Sequence, residues 1–332
     1  MLYEKEKQVA IKAVLEATKL CKNIGDQSVK KSFNKYDHSP VTLADWGVQA
    51  VCCSELKKAF PKDPVVGEED ATKLREPNMA NYLAQVTNYV KAFIPDATQE
   101  DVLAWIDKGT SGIGSRYWTL DPIDGTKGFL RGDQYAIALA LIEKGQVKVG
   151  VLACPALAIN TAQSTQGQGI LFVAVRGQGS TVTSLNGEEL YSIHINLSNN
   201  LINSRYVESV EAKHSNHFLQ AAVARELGIS SPSLRIDSQV KYGMVASGLA
   251  AFFIRIPTSE FLDYKENIWD HAAGSIIVEE AGGCVTDIYG QPLNFSVGKK
   301  LASNKGIIAS NPTIHNKIVY SLQQIQSINS ST

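Results

Sequence analysis

The chain reads as a layered α/β protein, an α+β sandwich of the αβαβα kind in which two sheets lie between helices. Three observations predict this. The first 24 residues place Val9, Ala13, Ala17, Leu20 and Ile24 at the spacing of a helix with one buried face. Residues 116–185 alternate apolar runs with turn dipeptides, the pattern of a β-meander. Beyond about residue 195, short apolar strands alternate with helical segments. At 332 residues the chain can form one large domain or two fused ones. The expected division is an α+β unit over 1–195 and an α/β unit over 196–332, with the ligand cleft at their seam.

Element by element, the first helix ends near Ile24. Thr42 opens a second, running to Phe60 and closed by Pro61, and Thr42 and Asp45 have the spacing of a capping box. Residues 77–107 read as less regular helix and loop. Strands are predicted at Arg116–Asp121, Tyr135–Glu143, Gln146–Ala153, Gly169–Arg176 and Ser180–Leu185, with hairpin turns at Lys144-Gly145 and Gly177-Gln178. In the second half the strands are Ser204–Val210, Leu234–Ile236, Ala251–Ile256, Cys284–Asp287 and Gly306–Ala309, alternating with helices near 215–227, 239–248 and 271–281. Asp270 falls where an N-cap belongs, Gly282-Gly283 end that helix, and the last residues, SINSST, read as frayed.

A hydrophobic fraction of 44%, a charged fraction of 20% and a net charge of −1 describe a soluble globular protein. Such a chain has no global field to hold nucleic acid or an anionic membrane, so neither partner is expected. An anionic ligand must then be held by a local pocket or a bound cation. Lysines and glutamates throughout residues 1–24 exclude a secretory h-region and do not suit a transit peptide. No apolar run approaches the roughly 18 residues of a spanning helix. The five cysteines, an odd number, are expected as reduced thiols of a cytoplasmic monomer, with Cys52 and Cys53 buried on a helix.

Carboxylates gather at the ends of apolar segments. Trp118-Thr-Leu-Asp-Pro-Ile-Asp-Gly-Thr126 is the most informative stretch; Val65-Val66-Gly67-Glu68-Glu69-Asp70, Trp269-Asp270 and Pro40-Val-Thr42-x-x-Asp45 accompany it. Taken singly they are a turn, a helix cap and a capping box. In this order they resemble the motif set of the lithium-sensitive, magnesium-dependent phosphatase superfamily, which includes the inositol monophosphatases and fructose 1,6-bisphosphatases. The resemblance covers about residues 35–290 and implies that family's fold.

It also implies that Glu68, Asp121 and the backbone carbonyl of Ile123 hold one Mg²⁺ and that Asp121, Asp124 and Asp270 hold a second. A third, weaker ion is implied near Glu68, with inhibition by Li⁺ or Na⁺. Asp45 and Thr126 match the pair that positions and deprotonates the attacking water, Asp45 being the base, while Gly125 and Thr126 offer backbone amides to the phosphate. The electrostatics agree: at about 4 Å and an effective dielectric near 20, each like-charged pair costs roughly 4 kcal/mol. Either pKa values rise or cations sit between the acids. Oxygen-only ligands suit Mg²⁺, and no Cys/His cluster suggests zinc. The Asp-x-Asp of aspartyl-nucleophile phosphatases is not matched, because Asp121 and Asp124 are three apart.

Inositol monophosphatases follow Asp-Gly-Thr with an Asn-Phe element; this chain has Thr126-Lys127-Gly128-Phe129-Leu130-Arg131-Gly132. With Lys35-x-Asp37-x-Ser39-Pro40-Val41-Thr42, Ser209–His217 and Asp237–Gly243, that run is similar to the 3′(2′),5′-bisphosphate nucleotidases. The implied reaction is hydrolysis of the 3′-phosphate of adenosine 3′,5′-bisphosphate, or of its sulfated relative. One phosphate meets the metals and the other needs its own clamp, for which Ser238, Lys241 and Arg255 are expected. Arg255 lies in an apolar strand and must find an anion, either a bound phosphate or an internal carboxylate. His214, with His217 as the competing choice, is expected at the nucleotide, and Asp270 also faces substrate. An inositol polyphosphate 1-phosphatase is the alternative within the fold, and a non-catalytic nucleotide or ion sensor the alternative outside it.

Overall fold

The computed structural model describes the chain except residues 1, 26–31, 36–39, 158–168, 188–189, 199, 212–215, 257–263 and 330–332, and except the side chains of 325–329. Helix α1 (Glu4–Gly25) is followed by the antiparallel pair β1 (Ser32–Asn34) and β2 (Pro40–Thr42), which leads straight into α2 (Leu43–Ala59). The expected capping box is present: Thr42 Oγ1 accepts from the N–H groups of Ala44 and Asp45, and the Asp45 carboxylate accepts from the Thr42 N–H at 2.7 Å. After β3 (Val65–Gly67) come α3 (Ala80–Lys91) and α4 (Gln99–Lys108), so residues 77–107 are more regular than their sequence suggests. A second capping box, Thr98 with Asp101, starts α4.

Next are β4 (Arg116–Asp124), the short α5 (Thr126–Arg131), β5 (Ala136–Glu143), β6 (Gln146–Cys154), β7 (Ile170–Val175), β8 (Ser180–Ser184) and β9 (Leu190–Ile193). They complete a seven-stranded sheet in the order β3-β4-β5-β6-β7-β8-β9. Only β3 and β4 run parallel; the rest is a meander. The second half contributes β10 (Val207–Glu208), α6 (His217–Glu226), β11 (Leu234–Arg235), α7 (Val240–Ala246), β12 (Phe252–Arg255), α8 (Ala272–Glu280), β13 (Cys284–Thr286), β14 (Ile307–Ser310) and α9 (Pro312–Asn329). Its five-stranded sheet has the order β11-β10-β12-β14-β13. The predicted strand Ser204–Val210 shrinks to the two residues of β10.

Strand alternation explains the layers. On β5, Ile137, Leu139 and Leu141 face a core shared with α1 and α2, while Ala136, Ala138 and Ala140 face the opposite way, toward α7 and α8. That second core also takes Val207, Phe253, Ile307 and Ala309 from the five-stranded sheet. The far face of that sheet, with Phe252, Ile254 and Ile308, packs on α6 and α9. The result is helices, sheet, helices, sheet, helices. The small side chains of β5 let α8 lie close, and Gly150 on β6 extends the effect. A Cβ there would come 2.4 Å from Ile276 Cγ2 and 2.9 Å from the Ala273 carbonyl oxygen, both on α8.

Gly150→Ala should therefore push α8 away from the sheet and cost about 1–3 kcal/mol, the usual effect of overpacking. Gly112→Ala, where an added Cβ meets nothing within 4 Å, is the control. Urea midpoints should fall for the first variant and stay near wild type for the second; equal midpoints would contradict the packing argument.

Candidate active site

The site is assembled where β4 ends. Residues three apart on a regular strand point to opposite faces. Here the register slips between Asp121, opposite Ala138, and Asp124, opposite Ala136, so three steps on β4 match two on β5. This bulge turns both carboxylates into one cavity of about 410 Å³, with Ile123 between them. Gly125 then takes a φ of +87° and starts α5; a Cβ on it would approach Ser238 Cβ to 3.1 Å. Thr126 Oγ1 donates to the Ile123 carbonyl at 3.2 Å.

Glu68, just past β3, and Asp270 line the same cavity. Asp270 does not cap α8: it closes a one-turn helix at Ile268–Asp270, and His271 holds the N-cap position. The carboxylate is turned into the cleft instead of back along the helix. Burial, reinforced by Glu68, Asp124 and Asp270, holds Asp121 well above the usual carboxylate range. Burial likewise pushes Asp270 up to about 7, against the pull of Arg255 and His271.

Asp45 is wholly buried behind the cavity wall. Burial raises it to about 7, with Glu68 adding to the effect and the Thr42 hydrogen bond opposing it. Its Oδ2 serves the capping box, whereas its Oδ1 is buried without a hydrogen-bond partner; Asp121 Oδ1 is in the same state. Orphaned, buried carboxylate oxygens in an oxygen-only donor set fit a hard divalent cation such as Mg²⁺.

The second half supplies the opposite wall. Gln239 N–H donates to Asp124 Oδ2 at 2.6 Å, and the Gln239 side chain bridges the Trp269 carbonyl and the Gly274 N–H. This fixes the start of α7 against β4. Ser238, immediately before, has a φ of +65°, a strained value for a residue with a side chain. Its neighbour Asp237 is held by Arg131. Lys241, expected on a helix, is buried; its Nζ donates to the Ile236 carbonyl at 3.2 Å and lies 5.2 Å from the Phe253 ring centroid. Burial depresses it to about 8, although Asp124 pulls the other way. Arg255 lines the cavity and also bonds Glu266 at 2.9 Å, so it has both the internal partner and the access that its sequence left as alternatives.

Thus Glu68, Asp121, Ile123, Asp124, Gly125, Thr126, Ser238, Lys241, Arg255 and Asp270 share one cavity, with Asp45 behind it. His214, Asp37 and Ser39 lie outside the described residues. His217 begins α6 and bonds the carbonyl of Ser209, a lining residue, at 2.9 Å, but does not line the cavity itself. Lys127 and Arg131 are not lone surface charges: both pair with Glu211, at 3.2 and 3.3 Å, across the seam. Lys35, Glu69, Gln239, Tyr264, Glu266 and His271 carry no site role in the sequence reading, yet all belong to this neighbourhood. Lys35 Nζ meets Glu68 at 2.6 Å and Glu69 at 2.5 Å. Its place just before the Ser39-Pro40-Val41-Thr42 run was the available signal.

Two sheets layered with helices around a cleft of acids define a class, the metal-assisted phosphatases. The chain belongs to the inositol monophosphatase family, whose model matches residues 2–327. Members of that family are generally Mg²⁺-dependent. The chain is 42% identical to the 3′(2′),5′-bisphosphate nucleotidase of Emericella nidulans, covering 98% of this chain and 99% of that one. It is 42% identical to that of Schizosaccharomyces pombe, over 96% and 95%, and 41% identical to that of Oryza sativa, over 97% and 94%. Among solved structures, Thermotoga maritima IMPase shares the fold with a TM-score of 0.65 at 24% identity, covering 96% of each chain. The suhB extragenic suppressor protein of Bartonella henselae does so with a TM-score of 0.65 at 22% identity, over 95% and 97%. Among the described residues, no helix is long and apolar enough to cross a membrane.

The raised carboxylates carry a pH signature. A carboxyl whose pKa rises from 3.8 to about 7 on folding binds more protons folded than unfolded between those values. Stability of the metal-free protein should then fall as pH rises from about 4 to 7. Melting temperatures without metal should be lower at pH 8 than at pH 5.5, and Mg²⁺ should raise the melting temperature more at pH 8. A Mg²⁺ increment independent of pH would contradict the assignment.

Proposed function

We propose that the chain is a 3′(2′),5′-bisphosphate nucleotidase, removing the 3′-phosphate of adenosine 3′,5′-bisphosphate to leave AMP and inorganic phosphate. Its sulfated relative, 3′-phosphoadenosine 5′-phosphosulfate, would be handled in the same way. The observation that carries this reading is a cavity lined by acids and cations together: Asp121, Asp124, Glu68 and Asp270 share it with the buried Lys241 and the half-buried Arg255. A ribose bearing two phosphates can use both sets; an ester with one phosphate leaves one set unused.

Glu68, Asp121 and the Ile123 carbonyl would hold one Mg²⁺, and Asp121, Asp124 and Asp270 a second, with a third ion near Glu68. When bound, these ions supply a Lewis acid that acidifies water and offsets charge on the leaving oxygen. Asp45 is the base, accepting the water proton at Oδ1, the oxygen its capping role leaves over. The capping box fixes that carboxylate on the first turn of α2. Thr126 positions that water together with Asp45, and the backbone N–H groups of Gly125 and Thr126 face the scissile phosphate. Ser238, Lys241 and Arg255 grip the spectator 5′-phosphate and so orient the 3′ ester. His214 is proposed at the nucleotide. The chain is proposed to act as a cytoplasmic monomer.

With Mg²⁺, phosphate release from adenosine 3′,5′-bisphosphate should exceed release from inositol 1,4-bisphosphate by at least about 100-fold, the range expected when a polar site discriminates. Release mainly from the inositol ester would overturn the reading of the second half. Millimolar Li⁺ should inhibit, as should Na⁺ more weakly; full activity in lithium would contradict the proposed ion sites. Asp45→Asn keeps an acceptor for the Thr42 N–H, so folding and AMP binding should hold. Its turnover should fall roughly 10²–10⁴-fold, the usual contribution of a general base. Wild-type turnover in this variant would remove Asp45 from the mechanism.

A further inference from the structure

Arg255 is bonded by Tyr264, which lines the cavity, and by Glu266, which does not. Glu266 is buried, and its carboxylate accepts from Arg255 Nε at 2.9 Å and from His271 Nε2 at 3.3 Å. His271 Nδ1 in turn meets the Tyr242 hydroxyl at 2.7 Å. The chain of bonds is satisfied when Tyr242 donates to Nδ1 and the Nε2–H donates to Glu266. Every member except Glu266 lines the cavity.

The backbone beneath is stapled down. Leu301 N–H donates to the Glu266 carbonyl at 2.8 Å, Ile268 N–H donates to the Lys299 carbonyl at 3.1 Å, and Asn267 forms a bridge with Lys300. Glu266 is therefore a fixed carboxylate, four residues before Asp270 in sequence. Asp270, His271 and Glu266 have ligand atoms within 4.8 Å of one another, which suits a cation. At Glu266 that cation is already present, because the guanidinium and the imidazole occupy its two oxygens.

We propose that Glu266 is a positioning residue for the spectator phosphate: by holding the Nε edge of Arg255 it turns the terminal amino groups toward the anion. A guanidinium free to swing would have to be ordered on each binding event, at a cost in affinity. A guanidinium held by its edge presents a preset fork. His271 is the second donor to that carboxylate and keeps it from turning away from Arg255. The inference rests on the nucleotidase reading above.

The test compares Glu266→Gln with wild type on two substrates in Mg²⁺: adenosine 3′,5′-bisphosphate and adenosine 3′-monophosphate, which lacks the spectator phosphate. The variant should lose about 10- to 100-fold in kcat/KM on the bisphosphate, mostly in KM, as expected when a charge-assisted hydrogen bond is misdirected. On the monophosphate it should stay within about twofold of wild type, as expected for a residue that acts only through the absent phosphate. In an Arg255→Ala background the Glu266→Gln change should add nothing, since both act through one guanidinium. Equal losses on both substrates, or additive losses in the double variant, would make Glu266 merely structural and overturn the proposal. Should Glu266→Gln fail to fold, Glu266→Asp keeps the charge but withdraws the carboxylate, and the same selective loss is required of it. Wild-type enzyme that shows no preference for the bisphosphate over the monophosphate would overturn the nucleotidase reading itself, a separate outcome.

Discussion

Like-charged carboxylates confined in one buried cleft are the constraint around which this structure is arranged. Asp121 and Asp124 end one strand, Glu68 and Asp270 come from distant parts of the chain, and burial, with repulsion from neighbouring acids adding to it, raises Asp121, Asp124 and Asp270. Left alone, such a cluster would keep its protons or drive its own walls apart. The protein meets part of the charge itself. Gln239 gives Asp124 a backbone N–H, Lys241 and Arg255 line the same cleft, and Lys35 pairs with Glu68 and Glu69. Asp121 Oδ1 and Asp45 Oδ1 stay buried without a hydrogen-bond partner, the state that the proposed cations and attacking water would relieve.

The fold provides the rigidity that this arrangement needs. The alanine face of β5 and Gly150 on β6 seat α8 close to the sheet, which fixes the turn carrying Asp270 relative to Asp121 and Asp124. The capping box at the start of α2 serves twice, satisfying helix N–H groups and orienting Asp45. Gly125 lets Ser238 approach, and Ser238 is held at its left-handed φ between Asp237, anchored by Arg131, and Gln239, anchored to Asp124. Strain of this kind persists only where neighbours on both sides over-determine it. Ion pairs of Lys127 and Arg131 with Glu211 close the seam beside the cleft.

Much of this was legible in the sequence because it is local. Apolar strands ending in carboxylates, a Thr42–Asp45 capping box and the change of pattern near residue 195 all lie within short windows. What was not legible is what depends on pairing at a distance. The β4 bulge exists only relative to β5, and without it Asp121 and Asp124 would face opposite sides. Asp270 looked like an N-cap because nothing in its own window shows the extra turn before α8. Glu266 and Arg255 are eleven residues apart, across residues 257–263, and no periodicity links them. Some misses were local all the same. Ile314, Ile318 and Leu322 in α9 have plain helical spacing and are buried. The helices at 80–91 and 99–108 were blurred by the prolines and glycine around them, and β9 by its length of four residues.

The most direct measurement of the central claim is proton release on Mg²⁺ binding, read by titration calorimetry near pH 6.5 in two buffers of different ionisation enthalpy. Acids raised to about 7 by burial must lose protons when the cation arrives. The account predicts a fraction of a proton or more released per ion in the wild-type protein, and a much smaller release in Asp121→Asn. Mg²⁺ binding without proton release, or release unchanged by Asp121→Asn, would mean that the carboxylate cleft is not where the cations bind.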